Sequence, residues 1–246
     1  MQKQLLSVLG NVLANAVFTV KKQGNIESRT VRIDTDDFNY QVYIPPNVNE
    51  KKLPVMIFLH GIKERGNGGL VPTTGAAGAV VRHYFAQVPA IVLLPQCRET
   101  SYWSNPVMDA MVMRSLWETV EEFGADERRI YLIGVSMGGY GVWHFAAAYP
   151  EKFAALVSLC GGSSIQTGDR FNALAERVGA TPARLFHGAD DKVVPVGESR
   201  RIVEALKANG GNVKYNEYEN VGHNVWFSVL AEKDLLPWLL AQKRSD

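Results

Sequence analysis

The sequence predicts an α/β fold built on a mostly parallel sheet, and three observations carry that expectation. Short, nearly unbroken apolar runs ("LPVMIFL", "AIVLLP", "RIYLIGV", "AALVSLC", "ARLFHG") recur along the chain. Segments with helical periodicity separate several of them. Strands buried on both faces read as continuous apolar runs, whereas strands with one wet face alternate. The first pair that does alternate lies near the start of the chain, so the parallel part begins after it.

Taken in order, residues 1–24 come first, and Leu5, Leu9, Val12, Leu13 and Ala16 share one face of an expected amphipathic helix. The same stretch has the outline of a signal peptide around Ala14-Asn15-Ala16, but Ser7, Asn11 and Asn15 interrupt its apolar run. "ESRTVRI" and "FNYQVYI" then alternate around "DTDD" and stop at Pro45-Pro46, which gives an N-terminal antiparallel hairpin. The apolar runs follow, with the glycine-rich "GIKERGNGGLVPTTGAAGA" after the first of them, expected as a wall of the functional site. Helices are expected over Met108 to Phe123, Gly138 to Tyr149, Gly197 to Asn209 and Leu230 to Lys243. Helices on both faces of one sheet complete the architecture. Only Ser164 to Pro182 separates the strand ending at Cys160 from the next, which leaves no room for a large lid.

With 246 residues, of which 46% are hydrophobic, the chain can bury one large core, and a single domain over 1–246 is expected. Its 26 Lys and Arg against 25 Asp and Glu leave a formal charge of +1, so no field gathers nucleic acid or an acidic membrane. No apolar stretch reaches the roughly 18 residues that a membrane span needs, so no insertion is expected. A small molecule is the expected partner. Cys97 and Cys160 close strands that are not neighbours, which makes both free thiols, and nothing has zinc-ligand spacing. "GNGG" lacks the Lys-Ser/Thr of a phosphate-binding loop, so neither cofactor nor metal is expected.

Gly134-Val135-Ser136-Met137-Gly138 is G-x-S-x-G set between an apolar strand and a helix. A serine held in that sharp turn projects its hydroxyl above the sheet, but a hydroxyl is a poor nucleophile without a base and an acid to orient it. In a sheet of this kind the acid and then the histidine follow the serine along the chain. Of the histidines after Ser136, His144 belongs to the outgoing helix and His187 closes a strand ahead of the acid. That leaves His223, in "NVGHNVW". The acid comes from Asp190-Asp191; Asp191 is preferred because a turn and a helix start follow it, with Asp190 as the alternative. Backbone N–H groups of Met137 and Ile62 are the expected oxyanion donors. His60 is expected to hydrogen-bond its own loop.

"LHGIKERGNGG", "LLPQCRETSYW", "DERRIYLIGVSMGGYGVW", "YPEKFAALVSLCGG", "HGADDKVVP" and "VGHNVW" together resemble the α/β-hydrolase superfamily. They are most similar to its serine esterases of the dienelactone-hydrolase, polyhydroxybutyrate-depolymerase and feruloyl esterase kinds, and also to prolyl-oligopeptidase-type peptidases. The resemblance implies Ser136, Asp191 and His223 as catalytic residues, the amides of Ile62 and Met137 as oxyanion hole, and Glu64 and Arg65 as shapers of that loop. It places Trp103 near the acyl or leaving-group pocket, and Tyr102 and Tyr140 are further expected contacts. Relatives often carry glycine at the position of Lys63, a departure that bears on how Ile62 is presented. Hydrolysis of small or extended carboxylic esters is the expected activity; the alternatives are peptide hydrolysis and a silent binding module on the same fold. Trp226 is expected in the core.

Overall fold

The computed structural model describes residues 24–46, 48, 52–68, 88–165 and 168–245. The helix expected over 1–24, apart from Gly24, and the glycine-rich wall beyond residue 68 lie outside them. The hairpin forms as expected: β1 (Asn25–Ile33) pairs antiparallel with β2 (Asp36–Ile44) across a turn in which Asp34 takes a positive φ of 52°. Six strands follow: β3 (Val55–Leu59), β4 (Ile91–Pro95), β5 (Ile130–Val135), β6 (Ala155–Leu159), β7 (Ala183–Gly188) and β8 (Val213–Tyr218). They form one eight-stranded sheet in the order β1-β2-β4-β3-β5-β6-β7-β8, parallel from β4 to β8.

Period-two alternation divides the strand side chains between two dry faces. Val55, Ile57 and Leu59 of β3 join Ile91 and Leu93 of β4 and Ile130 and Leu132 of β5 in one cluster. Met56, Phe58, Val92, Leu94 and Tyr131 point to the other. Against the first face pack α1 (Pro106–Phe123), α2 (Met137–Ala148), α3 (Arg170–Val178) and α4 (Gly197–Ala208). Two short C-terminal helices, α5 (Trp226–Val229) and α6 (Leu235–Ala241), cover the second through Val229 and Leu239.

The structure corrects the sequence reading at four elements. α1 begins two residues early, because the Asn105 side chain accepts from the N–H of Val107 and Pro106 fits the first helical position. Of the helix expected over Leu230 to Lys243 only α6, Leu235–Ala241, forms, and the separate short α5 ends ahead of that range. A proline at position 237 inside a continuous helix would clash with the preceding turn, whereas a fresh start at Leu235 puts it in the first turn, where no N–H partner is needed. α3 and β8 had not been expected. Asp169 caps α3 by accepting from Asn172 N–H at 3.3 Å, and Phe171, Leu174, Ala175 and Val178 form its buried face.

Candidate active site

Parallel strands of this kind gather loops at their carboxyl ends, and the ends of β3, β5 and β7, with the loop after β8, build one site. Ser136 sits between β5 and α2 with φ 56° and ψ −116°, a conformation that side chains other than hydrogen adopt only under strain. Its N–H is held by the carbonyl of Leu159 in β6 at 2.8 Å. The flanking glycines make this turn possible: a Cβ on Gly134 would lie 2.1 Å from the oxygen of Gly138, and one on Gly138 would lie 1.9 Å from the oxygen of Leu59.

The structure joins the three residues named from the sequence in a single chain of hydrogen bonds. Nε2 of His223 lies 2.8 Å from Oγ of Ser136, and Nδ1 lies 2.7 Å from Oδ2 of Asp191. A carboxylate can only accept, so Nδ1 carries the proton and Nε2 is free to take that of the serine. The loop bearing His223 reaches the acid because Gly188 has no side chain; a Cβ there would lie 2.2 Å from the oxygen of Val221. Asp191 is buried, and burial alone would raise its pKa. Hydrogen bonds from His223 and from the N–H groups of Val194 (3.0 Å) and Val193 (2.8 Å) outweigh that and hold it below the usual carboxylate value. Asp190 is exposed.

Met137 is the first residue of α2, and Ile62 is the first of a 3-10 turn over Ile62–Glu64. The first N–H of a helix has no partner within it, and both residues line the same cavity as Ser136. Arg65 braces this turn through Nε to the oxygen of Ile62 (3.2 Å) and Nη1 to that of Ser101 (3.1 Å). Lys63 is accommodated in the turn with its side chain exposed. Ile62, Met137 and Ser136 border a mainly apolar cavity of about 330 Å³, lined also by Tyr102, Trp103, Tyr140, Val193 and Val194. Trp103 lies at its floor, 1% exposed, with Nε1 donating to the carbonyl of His60 at 3.0 Å. Glu64 is not among the lining residues; its carboxylate folds back towards Gly61. Trp226 is half-buried rather than in the core, its ring set edge-on to His223 with centroids 6.1 Å apart. His144 bonds Asp109 at 2.8 Å, away from this set.

Cys160, Asp191 and His223 bring a thiol, a carboxylate and an imidazole within 4.8 Å of one another, the one such cluster among the described residues. Its chemistry disfavours a metal. Burial pushes the Cys160 thiol up to about 12, so it is protonated, and the carboxylate oxygens are already engaged. Sequence reasoning set His187 aside and missed the contacts of Val193 and Val194 with Asp191. The signal for the first was its four-residue spacing from Asp191, and for the second the turn that follows Asp191 in the sequence.

His60 directly follows β3, is completely buried, and ties the turn after β3 to the end of β4. Nδ1–H donates to the oxygen of Gly61 at 2.7 Å, and Nε2 accepts from the N–H of Cys97 at 3.0 Å. The ring must be neutral to accept there. Burial lowers its pKa from 6.5 to about 4 and outweighs the hydrogen bond to Gly61. Below 6.5 the unfolded imidazole takes up a proton that the folded one refuses until about pH 4. This stability is therefore present above pH 6.5 and is lost as pH falls towards 4. It amounts to something on the order of 3 kcal/mol. Urea midpoints measured from pH 7 to 4.5 should fall more steeply for the wild type than for His60→Gln; equal slopes would remove His60 as the cause.

A family model described as phospholipase/carboxylesterase matches residues 108–233 of the chain. Among solved structures, a thermostable esterase is 32% identical, with a TM-score of 0.80 over 89% of this chain and 63% of its own. The feruloyl esterase module from Clostridium thermocellum shares the fold at 16% identity, with a TM-score of 0.70 over 91% of each chain. The juvenile hormone esterase of Tribolium castaneum is 24% identical over 80% of this chain, which spans 34% of that protein's length.

Proposed function

The chain belongs to the phospholipase/carboxylesterase family, a serine hydrolase on the α/β-hydrolase fold, and from that premise we propose that it cleaves carboxylic esters through an acyl-enzyme on Ser136. Ser136 Oγ attacks the ester carbonyl carbon as its proton passes to Nε2 of His223. Asp191 keeps its charge and holds the Nδ1–H of the imidazolium. The carbonyl oxygen, now negative, accepts from the N–H groups of Met137 and Ile62. Collapse expels the alcohol, which takes the proton from Nε2, and a water then repeats the sequence on the acyl-serine.

The observation that carries this reading is the unbroken chain from Ser136 through His223 to Asp191, at the edge of an apolar cavity. The cavity favours an ester with a short apolar group seated over Trp103 between Tyr140 and Val194, and its exposed rim of Ile62, Tyr102 and Val193 leaves an extended remainder room to leave. p-Nitrophenyl acetate, butyrate and octanoate should be hydrolysed, butyrate fastest in kcat/KM, while aminoacyl p-nitroanilides are turned over far more slowly. A fluorophosphonate probe should label the wild type once per chain and spare Ser136→Ala. Preference for the anilides would make the protein a peptidase, and failure to label would make it a binding module.

A further inference from the structure

A second imidazole, which the proposed reaction does not use, touches the same acid. His187, at the end of β7, is completely buried, yet both of its ring nitrogens are bonded. Nε2 lies 3.0 Å from the carbonyl oxygen of Val194 and 3.2 Å from Oδ2 of Asp191, and Nδ1 lies 2.7 Å from Oγ of Ser199 in α4. A carbonyl oxygen can only accept, so Nε2 carries the proton and Nδ1 receives that of the Ser199 hydroxyl. Burial lowers the pKa of His187 and outweighs the hydrogen bond to Val194 and the charge of Asp191, so the ring stays neutral.

We propose that His187 is a positioning residue for the ester hydrolysis: its Nε2–H, donated to the carbonyl of Val194, fixes the turn whose N–H grips Asp191, and the same ring edge lies against Oδ2, so the acid is kept in line with His223. This rests on the reading of Ser136, His223 and Asp191 given above. Asp191 then has three hydrogen-bond donors and, against Oδ2, the polar edge of a second imidazole. Oδ1 accepts from the N–H groups of Val193 and Val194, while Oδ2 accepts from Nδ1–H of His223 and has Nε2 of His187 3.2 Å away. Turning the carboxylate about Cβ–Cγ would break bonds on both sides, so its plane is fixed before substrate arrives. Val194 carries the brace, because its N–H binds the acid and its oxygen accepts from the ring that lies against the acid. Ser199 ties the far edge of the ring to a helix, so the acid is braced from α4 as well as from its own loop. An ordinary core histidine would be replaced as well by an apolar side chain of similar size; this one supplies a directed N–H that such a side chain lacks.

The test compares His187→Leu, His187→Gln and Ser199→Ala with the wild type, measuring kcat and KM on p-nitrophenyl butyrate and the far-downfield proton resonance of His223 Nδ1–H. Leucine removes the donor, whereas the glutamine amide N–H extends about as far along the side chain as Nε2. In His187→Leu, kcat should fall about 10- to 100-fold with KM little changed, the size of effect a small misplacement of a reacting group produces. The downfield resonance should shift or broaden. His187→Gln should recover most of kcat and the resonance. Ser199→Ala, which frees the ring while keeping the core filled, should lower kcat by a smaller factor and broaden the same resonance. Near-wild-type kcat in a folded His187→Leu protein, or equal losses in the leucine and glutamine variants, would overturn the proposal. If His187→Leu does not fold, unchanged kcat and resonance in Ser199→Ala would overturn it too. A wild type that neither hydrolyses esters nor takes the fluorophosphonate would count against the underlying reading; an active wild type indifferent to these changes would count against His187 alone.

Discussion

Ser136→Ala is expected to lower kcat on p-nitrophenyl butyrate by about a million-fold, to a residue of roughly a thousandfold or more over water, with KM little changed. The drop is large because the three side chains act as a unit: without Oγ there is no atom for His223 to activate and no acyl-enzyme to form. The residue persists because the N–H groups of Met137 and Ile62 belong to the backbone and survive the substitution. A double variant with His223→Ala should therefore be hardly slower than Ser136→Ala alone. Steady-state kinetics on both proteins checks this, after burst titration of each preparation to exclude carried-over wild type. Independent, additive losses would show that Ser136 and His223 do not serve one step.

Physical constraint decided what could be read from the chain. β3, β4, β5, β6 and β7 are dry on both faces, so their sequences are continuous apolar runs and stand out. β8 is an edge strand, half-exposed along its length, and "VKYNEY" carries the polar side chains that such an edge tolerates. α3 did leave a legible trace in the spacing of Phe171, Leu174 and Val178 behind Asp169, but nine residues set between glycines look like a loop. Ser136 was legible because its turn admits only glycine on either side, a requirement that sequence records directly. The contact of His187 with Asp191 was not, since it arises from where a strand end and a helix start meet in space. A histidine closing a strand looks the same whether its N–H faces a carboxylate or a neighbouring carbonyl.

Asp191→Asn should cost about 10⁴-fold in kcat, and the hydrogen bonds around the acid say why. Val193 and Val194 both present N–H groups to Oδ1, so the asparagine must put its carbonyl oxygen there. Its NH2 then occupies the place of Oδ2, facing His223 Nδ1 and His187 Nε2–H. Towards His223 it can only donate, which forces the proton onto Nε2 and leaves no lone pair to receive that of Ser136. The imidazole is still in place but in the wrong tautomer, and the loss falls on kcat rather than KM. Towards His187 two donors meet, which should also loosen the acid loop and lower the thermal midpoint. Asp190→Asn, at an exposed neighbouring position, should keep kcat near the wild-type value. The paired measurement discriminates sharply, because the two substitutions are identical in chemistry and adjacent in the chain. If Asp191→Asn retained kcat within about tenfold while Asp190→Asn lost the larger factor, the tautomer of His223 would have to be set from position 190, against the geometry found at 191.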